Sequence, residues 1–362
     1  MKYGLLTTSS FNIGDEIQCL AAFRFLPRVD YLVHRERTDV FKSEEPVSVI
    51  MNHWWLWDWK HFPPSACIDP LFVSFHLQYR LRNDRFLNGK VQRYFKAHEP
   101  IGCRDNGTAE FLSSKGINAY FSGCMTTTLL PNPIIKHKFM DDYILCVDVP
   151  EDVVQAIRER TERKVVCMER EQNVCFSYEQ RMKLAKFALF LYHNAHCVVT
   201  IALHAALPST AFGTPVCVIE QGTYDAKSRF DGLETCFHIL NKETFLAEPE
   251  AYDINDPPPN PDTYLKIRQG LVERCKAFTG FDSEAPVLED DYNPMADIAE
   301  SLAYREENAY KSMLYAKRKS IIKAFFRRIF LIQNRHDTNA SRRCADIKVL
   351  ERRPRPEPDQ EK

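Results

Sequence analysis

Residues 143–149 of this chain are YILCVDV, and three more short apolar runs follow it: KVVCM at 164–168, CVVTI at 197–201 and PVCVIE at 215–220. Amphipathic stretches separate these runs, at 151–162, 178–195 and 204–212. Buried strands that alternate with helices indicate a parallel sheet covered by helices on both faces. We therefore predict an α/β domain over residues 143–290.

The amino-terminal part of the chain shows the same alternation. Strand-like runs lie at 2–7, 29–34, 47–52 and 71–77, and amphipathic stretches lie between and after them. This pattern predicts a first α/β domain over residues 1–130. The polar, proline-bearing segment 131–142 is predicted to be a linker. A C-terminal helical segment is predicted at 291–333, and the charged, proline-bearing residues 334–362 are predicted to be a disordered tail.

Composition excludes several classes of protein. The 362 residues include 48 Lys and Arg against 49 Asp and Glu, so a nucleic-acid partner is not expected. No apolar run approaches the roughly 18 residues that span a bilayer. The start MKYGLLTTSS becomes polar too soon for a signal peptide, and the twelve cysteines form no CxxC pair. We expect a cytoplasmic protein with no metal site.

The first candidate ligand-binding segment, TTSSFNIGD at 7–15, follows the first predicted strand. Ligands of open α/β sheets bind at the carboxyl ends of the strands, where helix N-termini point. Thr8, Asn12 and Gly14 would offer hydroxyl, amide and backbone N–H groups to an anion there. Asp15 could cap the helix, hold a sugar hydroxyl or act as a base, and capping is favoured for an isolated aspartate.

Two further segments follow predicted strands. Arg104 comes after the run IGC, and its planar guanidinium can bind a phosphate or a carboxylate. The alternative is an Arg104–Asp105 pair that only orders the next helix. Thr126 lies in FSGCMTTT at 121–128, a hydroxyl-rich stretch that is most often a solvated loop.

The fourth segment places His204 at the start of a helix that follows the strand at 197–201. A helix N-terminus lowers the pKa of a nearby histidine and aims backbone N–H groups at a ligand. This position suits acid–base chemistry or phosphate binding, whereas the alternative is a structural histidine. Arg229, in KSRFDG at 227–232, follows the last strand and could line the same cleft.

All four tryptophans lie within six residues, beside His53. Aromatic faces next to polar groups can stack on sugars, but packing at the edge of the core is the commoner outcome.

In this order, the segments resemble the motifs of the polysaccharide pyruvyl transferase family. The matching residues are NIGDEIQ at 12–18, RD at 104–105, SGCMTTT at 122–128, and LHAALP at 203–208 with GTP at 213–215. The resemblance spans about residues 3–235. It implies two Rossmann-like domains with parallel sheets in a GT-B-like arrangement. It also implies transfer of a pyruvyl group from phosphoenolpyruvate to a sugar of a polysaccharide or its precursor, as a ketal.

The resemblance also implies roles for the candidate residues. His204 would be the acid or base, Arg104 a ligand of the donor anion, and Asp15 a ligand or base for a sugar hydroxyl. The supporting cleft residues would be Thr8, Asn12, Gly14, Asp105, Thr126 and Arg229. The expected partners are phosphoenolpyruvate and a glycan or lipid-linked sugar, and this chemistry needs no metal or redox cofactor.

One position departs from the family pattern. The family has an arginine two residues before the histidine, and this chain has Ala202. Each charge-assisted hydrogen bond lost with that guanidinium is worth roughly 1.5–3 kcal/mol. Arg104, Arg229 or a lysine would have to substitute. The alternatives are a GT-B-type glycosyltransferase that uses a nucleotide-sugar, or a catalytically silent sugar-binding relative.

The stretch 311–328 carries seven Lys and Arg residues and no acidic one. Apolar pairs at 321/322, 325/326 and 329/330 recur at helical spacing. A basic amphipathic helix of this kind can lie on an anionic membrane, so residues 311–332 could bind the inner face of a membrane. The alternative, a helix whose apolar face packs on its own domain, is slightly favoured.

Overall fold

The computed structural model of the chain describes residues 1–10, 12–55, 59–138, 142–171, 177–220, 228–304 and 306. Residues 1–306 form one compact unit, which includes both predicted domains. The predicted basic helix at 311–332 and the predicted tail at 334–362 lie outside the described residues. Within the described part, no helix is long and apolar enough to cross a membrane.

The first lobe is built on short parallel strands. These are β1 (Lys2–Thr7), β2 (Tyr31–His34), β3 (Val47–Ile50), β4 (His53–Trp55), β5 (Ile68–Leu71), β6 (Phe75–Leu77), β7 (Ile101–Cys103) and β8 (Ala119–Phe121). They form two four-stranded sheets, in the orders β2-β1-β3-β5 and β4-β6-β7-β8. The helices of this lobe are α1 (Gly14–Phe23), α2 (Gly89–Ala97) and α3 (Asn106–Ser114).

The two sheets of this lobe are joined through short breaks between β3 and β4 and between β5 and β6. The Met51 N–H donates to the Leu71 carbonyl at 2.8 Å, which extends the pairing of β3 with β5. Ser74, just before β6, has a φ of 53°, in the left-handed region. The break places His53 just past the carboxyl end of β3.

The second lobe is a five-stranded parallel sheet in the order β10-β9-β11-β12-β13. Its strands are β9 (Tyr143–Val147), β10 (Lys164–Met168), β11 (Cys197–Thr200), β12 (Val216–Glu220) and β13 (His238–Asn241). The helices from here on are α4 (Pro133–Lys138), α5 (Glu151–Arg160), α6 (Tyr178–Asn194), α7 (Leu203–Ala211), α8 (Lys242–Ala247), α9 (Tyr264–Thr279) and α10 (residues 294–304). The first of these, α4, lies inside the segment predicted to be a linker.

The largest hydrophobic core extends through both lobes. Helix α1 of the first lobe packs against α6 and α7 of the second. Buried side chains such as Ile17, Ala21, Leu189 and Leu207 fill this contact. Because α1 follows β1 and α7 follows β11, the contact brings the carboxyl ends of these two strands together.

The parallel strand order and the covering helices confirm the predicted α/β class with Rossmann-like lobes. Several predicted elements have nearly the observed bounds, among them β1, β10 and α6. The predicted strand at 71–77 is instead two strands, β5 and β6, on either side of the break.

The neighbouring strands leave no room for a side chain at Gly4, in the middle of β1. A Cβ at Gly4 would lie 2.9 Å from methyl groups of Val33 and Val49, whose branched side chains adapt poorly. We expect Gly4→Ala to lower the free energy of unfolding by about 1–3 kcal/mol in urea denaturation.

The matched control is Gly270→Ala in α9, where an added Cβ meets nothing within 4 Å. That change should raise stability by up to about 1 kcal/mol, because alanine is the better helix former. Equal stabilities for the two variants would contradict the packing described for β1.

Candidate functional site

Side chains from both lobes converge where four parallel strands end. Asp15 follows β1, His53 follows β3, Arg104 follows β7 and His204 follows β11. Burial and then the positive charge of Arg104 lower the pKa of the His204 ring, so Arg104 from the first lobe lies close to the histidine of the second. We call these four residues the central cluster.

His204 lies in the first turn of α7 and is partly exposed. Its Nε2 is 3.7 Å from the Cys124 Sγ, and a Cβ at Gly14 would lie 3.1 Å from its Nδ1. Burial and then the positive charge of Arg104 hold the pKa of His204 well below its ordinary value. The ring is therefore neutral near pH 7, and it can accept a proton.

Arg104 is only 2% exposed. Its backbone N–H donates to the Phe75 carbonyl at 2.9 Å, but its Nε has no hydrogen-bond partner among the described residues. A buried charged donor without a partner is costly, so such a group indicates a missing ligand or water. The charge of Arg104 also acts on Asp15 and on both histidines of the cluster.

Asp15 lies in the first turn of α1, and its Oδ2 is 3.5 Å from the Arg35 Nη1. The capping role favoured from sequence is wrong, because α1 begins at Gly14 and its N-cap position is Ile13. Burial alone would raise the pKa of Asp15, but the positive charge of Arg35 brings it below the ordinary value. The carboxylate is therefore ionised at the edge of the cluster.

Asn12 connects the loop after β1 to the second lobe. Its Oδ1 accepts hydrogen bonds from the Gly14 N–H at 2.9 Å and from the Arg170 Nη1 at 3.4 Å. Arg170 follows β10, and its Nε donates to Asp148 at 2.5 Å. Thr8 is buried in the same loop, where its Oγ1 accepts the Ser10 N–H at 3.3 Å.

Asp105 is fully buried beneath α3 rather than within the cluster. Its carboxylate accepts hydrogen bonds from His76 Nδ1 at 2.5 Å, Arg82 Nη2 at 2.7 Å and the Thr108 N–H at 2.9 Å. The geometry favours an N-cap that orders the helix, with Arg82 instead of Arg104 as its ion-pair partner. Its role as a substrate ligand stays a prediction.

Thr126 lies in a short 3-10 helix, Met125–Thr128, whose three threonines are fully buried. The expectation of a solvated loop here is wrong. The Thr126 Oγ1 is 3.3 Å from the Cys124 Sγ, and Cys124 also contacts His204.

Arg229 is exposed, but its charge helps to lower the pKa values of Arg104 and His204.

Three residues of the site were not predicted from the sequence as functional: His53 of the central cluster, and Arg35 and Arg170 beside it. Arg35 directly follows β2, and Arg170 comes two residues after β10. The rule used for Arg104, that ligands bind past the carboxyl ends of strands, could have found both. His53 was noted only as a neighbour of the tryptophans, of which Trp55 is a fully buried core residue.

Ala202 occupies the N-cap position of α7, and its N–H donates to the Thr200 Oγ1 at 3.0 Å. No arginine reaches the cluster from this position. The cationic side chains come instead from the ends of other strands, as Arg35, Arg104 and Arg170.

A cavity of about 800 Å³ lies at the carboxyl ends of β9, β10 and β11. Its charged lining is mainly acidic: Asp148, Glu151, Glu169, Arg170 and Glu171.

Within the described ranges, no group of three or more His, Cys, Asp and Glu side chains could hold a metal ion. The ten cysteines of the described residues are all free thiols.

The fold and the site define an α/β protein in which two parallel-sheet lobes bring arginines and neutral histidines together. Residues 73–222 match the model of the polysaccharide pyruvyl transferase family, a family of transferases. The matched range contains Arg104, Ser122–Thr128 and His204, whereas the motif at 12–18 lies before it. The match confirms the resemblance predicted from the motifs.

No curated protein matches the chain by sequence. Among solved structures, the chain is similar to the UDP-GlcNAc 2-epimerase of Methanocaldococcus jannaschii, in complex with UDP-GlcNAc and UDP. The TM-score is 0.39 with 11% identity, over 75% of this chain and 97% of that one. The UDP-N-acetylglucosamine 2-epimerase of Rickettsia bellii gives a TM-score of 0.39 with 10% identity, over 77% of this chain and 97% of that one.

We expect Asp105→Asn to lower the free energy of unfolding by about 3 kcal/mol at neutral pH, because it leaves the largely covered Arg82 without its charge partner. Burial opposes ionisation of Asp105, but the His76 hydrogen bond and the Arg82 charge hold the pKa of this carboxyl well below its ordinary value. A carboxyl whose pKa is lower in the folded protein than in the unfolded chain stabilises the fold at pH values above its unfolded-state pKa. This contribution is lost as the pH falls.

The difference in the free energy of unfolding between wild type and Asp105→Asn should therefore be constant from about pH 7 to about pH 5. It should become smaller below about pH 4. Urea denaturation at a series of pH values measures it. The control is Asp84→Asn, because the Asp84 side chain is 82% exposed, and this change should leave the midpoint unaltered. A pH-independent difference for Asp105→Asn would contradict the assigned ion pair.

Proposed function

We propose that this protein transfers the pyruvyl group of phosphoenolpyruvate to two hydroxyls of one sugar, forming a ketal and releasing inorganic phosphate. The observation that carries the proposal is the buried Arg104 with its unpartnered Nε beside the neutral His204. Both residues lie within the stretch that matches the family. A small donor with a carboxylate and a phosphate suits such a site, because arginine binds both groups through its planar fork.

The proposed reaction balances without a metal or a redox cofactor. Protonation of the methylene carbon of the donor makes the neighbouring carbon electrophilic, and a sugar hydroxyl attacks that carbon as its O–H bond breaks. A second hydroxyl attacks the same carbon while the bond to phosphate breaks and its electron pair leaves with the phosphate. Of the two protons released by the hydroxyls, one replaces the proton given to the methylene carbon and the other goes to phosphate.

The central cluster offers groups that bind the donor and take the hydroxyl protons, and the proton for the methylene carbon would come from solvent. Arg104 would bind the donor anion, and its charge would also stabilise the departing phosphate. His204 begins neutral and would take a hydroxyl proton. Asp15 is ionised and would accept a hydrogen bond from the sugar. Asn12 and Gly14 shape the wall beside His204.

The glycosyltransferase alternative is less well supported. Nucleotide-sugars carry a diphosphate, which helix N-termini and cations bind at the carboxyl ends of such sheets. In the second lobe that edge is the acidic cavity, and the first turn of α5 carries Glu151 and Asp152. These charges would repel a diphosphate. A silent sugar-binding relative would bind glycans without releasing phosphate.

The proposed acceptor is a glycan or a lipid-linked sugar, and the proposed location is the cytoplasm, at the inner face of a membrane. The basic stretch at 311–332, which lies outside the described residues, would supply the membrane contact.

Replacing the proposed base should abolish turnover. We expect His204→Ala to reduce phosphate release from phosphoenolpyruvate by about 10²–10⁴-fold, with a panel of p-nitrophenyl glycosides as acceptors. Arg93→Gln, at an exposed position on α2, should keep wild-type turnover. Near-normal turnover in His204→Ala would refute the role given to His204.

Calorimetric titration separates the candidate donors. Wild type should bind phosphoenolpyruvate and should not bind UDP-sugars. Arg104→Gln should weaken binding of phosphoenolpyruvate by about 10- to 100-fold, because it removes charge-assisted hydrogen bonds. Arg104→Lys keeps the charge but loses the planar fork, so it should bind phosphoenolpyruvate more tightly than Arg104→Gln and less tightly than wild type. Tight binding of a UDP-sugar without binding of phosphoenolpyruvate would favour the glycosyltransferase.

A further inference from the structure

A second histidine of the central cluster, His53, has one ring nitrogen that meets no hydrogen-bond partner in the described part of the chain. The side chain is fully buried just past the end of β3. Its Nε2 lies 3.6 Å from the Cys19 Sγ, and its Nδ1 has no hydrogen-bond partner among the described residues. A fully buried polar atom with no partner calls for an explanation.

The hydrogen bond of Cys19 fixes which nitrogen of His53 carries the proton. A thiol has one hydrogen, and that of Cys19 is donated to the Leu6 carbonyl at 2.9 Å. Burial raises the pKa of Cys19, so the thiol keeps this hydrogen. The sulfur can offer His53 only a lone pair, so Nε2 must be the protonated nitrogen. The Nδ1 therefore presents a bare lone pair.

The groups around His53 keep it neutral. Burial and the charge of Arg35 lower its pKa to about 3, and Arg104 adds to the effect while Asp15 opposes it. His204 faces it from the second lobe and is itself neutral. A bare lone pair repels phosphate and carboxylate oxygens, so the ligand group that satisfies Nδ1 must bring a hydrogen.

We propose that His53 Nδ1 accepts the hydrogen of one acceptor-sugar hydroxyl, and that Cys19 is a positioning residue that holds His53 in the Nε2–H form. The inference rests on the proposed pyruvyl transfer, because ketal formation removes hydrogens from two hydroxyls. The cluster holds two neutral imidazoles, His53 on the first lobe and His204 on the second. As the hydroxyl oxygen bonds to the donor carbon, its proton passes to Nδ1 and then to the departing phosphate.

Nitrogen-15 NMR of histidine-labelled protein tests the protonation form directly, because the two neutral forms of the ring give different spectra. The signals of the His53 ring are those that are absent from the spectrum of His53→Asn. They should show a protonated Nε2, and they should not change with titration from about pH 8 to about pH 5. Cys19→Ala should convert that ring to a mixture of both forms. Cys275→Ala removes a buried thiol in α9 and should leave the ring unchanged. A protonated Nδ1 in wild type would overturn the proposal, whether or not the protein turns over phosphoenolpyruvate.

A panel of methyl glycosides then tests the contact with the hydroxyl. At least one glycoside should shift the Nδ1 resonance of wild type towards its hydrogen-bonded position, and the absence of any shift would overturn the proposal. In the phosphate-release assay, His53→Asn should lower kcat by about 100-fold and leave the KM for phosphoenolpyruvate unchanged. A glycoside could shift the Nδ1 resonance of wild type while wild type releases no phosphate from phosphoenolpyruvate. That result would contradict phosphoenolpyruvate as the donor and would still support the contact between His53 and a sugar hydroxyl. Full kcat in His53→Asn, with wild type active, would overturn proton transfer to Nδ1.

Discussion

The buried ion pair between Glu16 on α1 and Arg181 on α6 ties the two lobes together. The Arg181 Nε donates to Glu16 at 2.7 Å, and a second nitrogen of the guanidinium donates to the Thr8 carbonyl in the loop after β1. Burial raises the pKa of Glu16 to about 7 even though Arg181 opposes it. An ion pair this deeply buried adds little net stability but specifies one arrangement, and here it fixes the loop that leads to Asp15 at the start of α1.

That arrangement explains the electrostatics of the central cluster. Strand ends from both lobes bring Arg35, Arg104 and Arg170 into a region from which water is largely excluded. Burial of the two histidine rings, and then the positive charges around them, disfavour protonation, so both histidines are held neutral. The same charges keep Asp15 ionised. Near pH 7 the site therefore holds charged arginines, neutral histidines and an ionised Asp15 at the same time.

The sequence predicted what depends on local patterns and missed what depends on contacts between the lobes. Apolar runs located β1 and β10 closely, and the strand-end rule led to Arg104 and His204. The capping role predicted for Asp15 was wrong, because α1 begins two residues earlier than that role requires, and local sequence does not decide the first residue of a packed helix. Thr126 was expected in solvent, but it is covered by helices from distant parts of the chain. His53 stood among tryptophans, and only the break between β3 and β4 turns it towards the cluster.

The alanine at position 202 need not remove the means to bind an anion. In a cluster assembled from several strand ends, positive charge comes from more than one element, and a doubly charged donor responds to the summed field more than to any one residue. Ala202 still leaves the N-terminus of α7 directed at the cluster, with its own N–H donated to Thr200. What a missing guanidinium takes away is a planar, bidentate contact, so its absence should relax the orientation of the donor more than it weakens the attraction. In the proposed function, Arg104, whose Nε has no partner among the described residues, would restore that orientation.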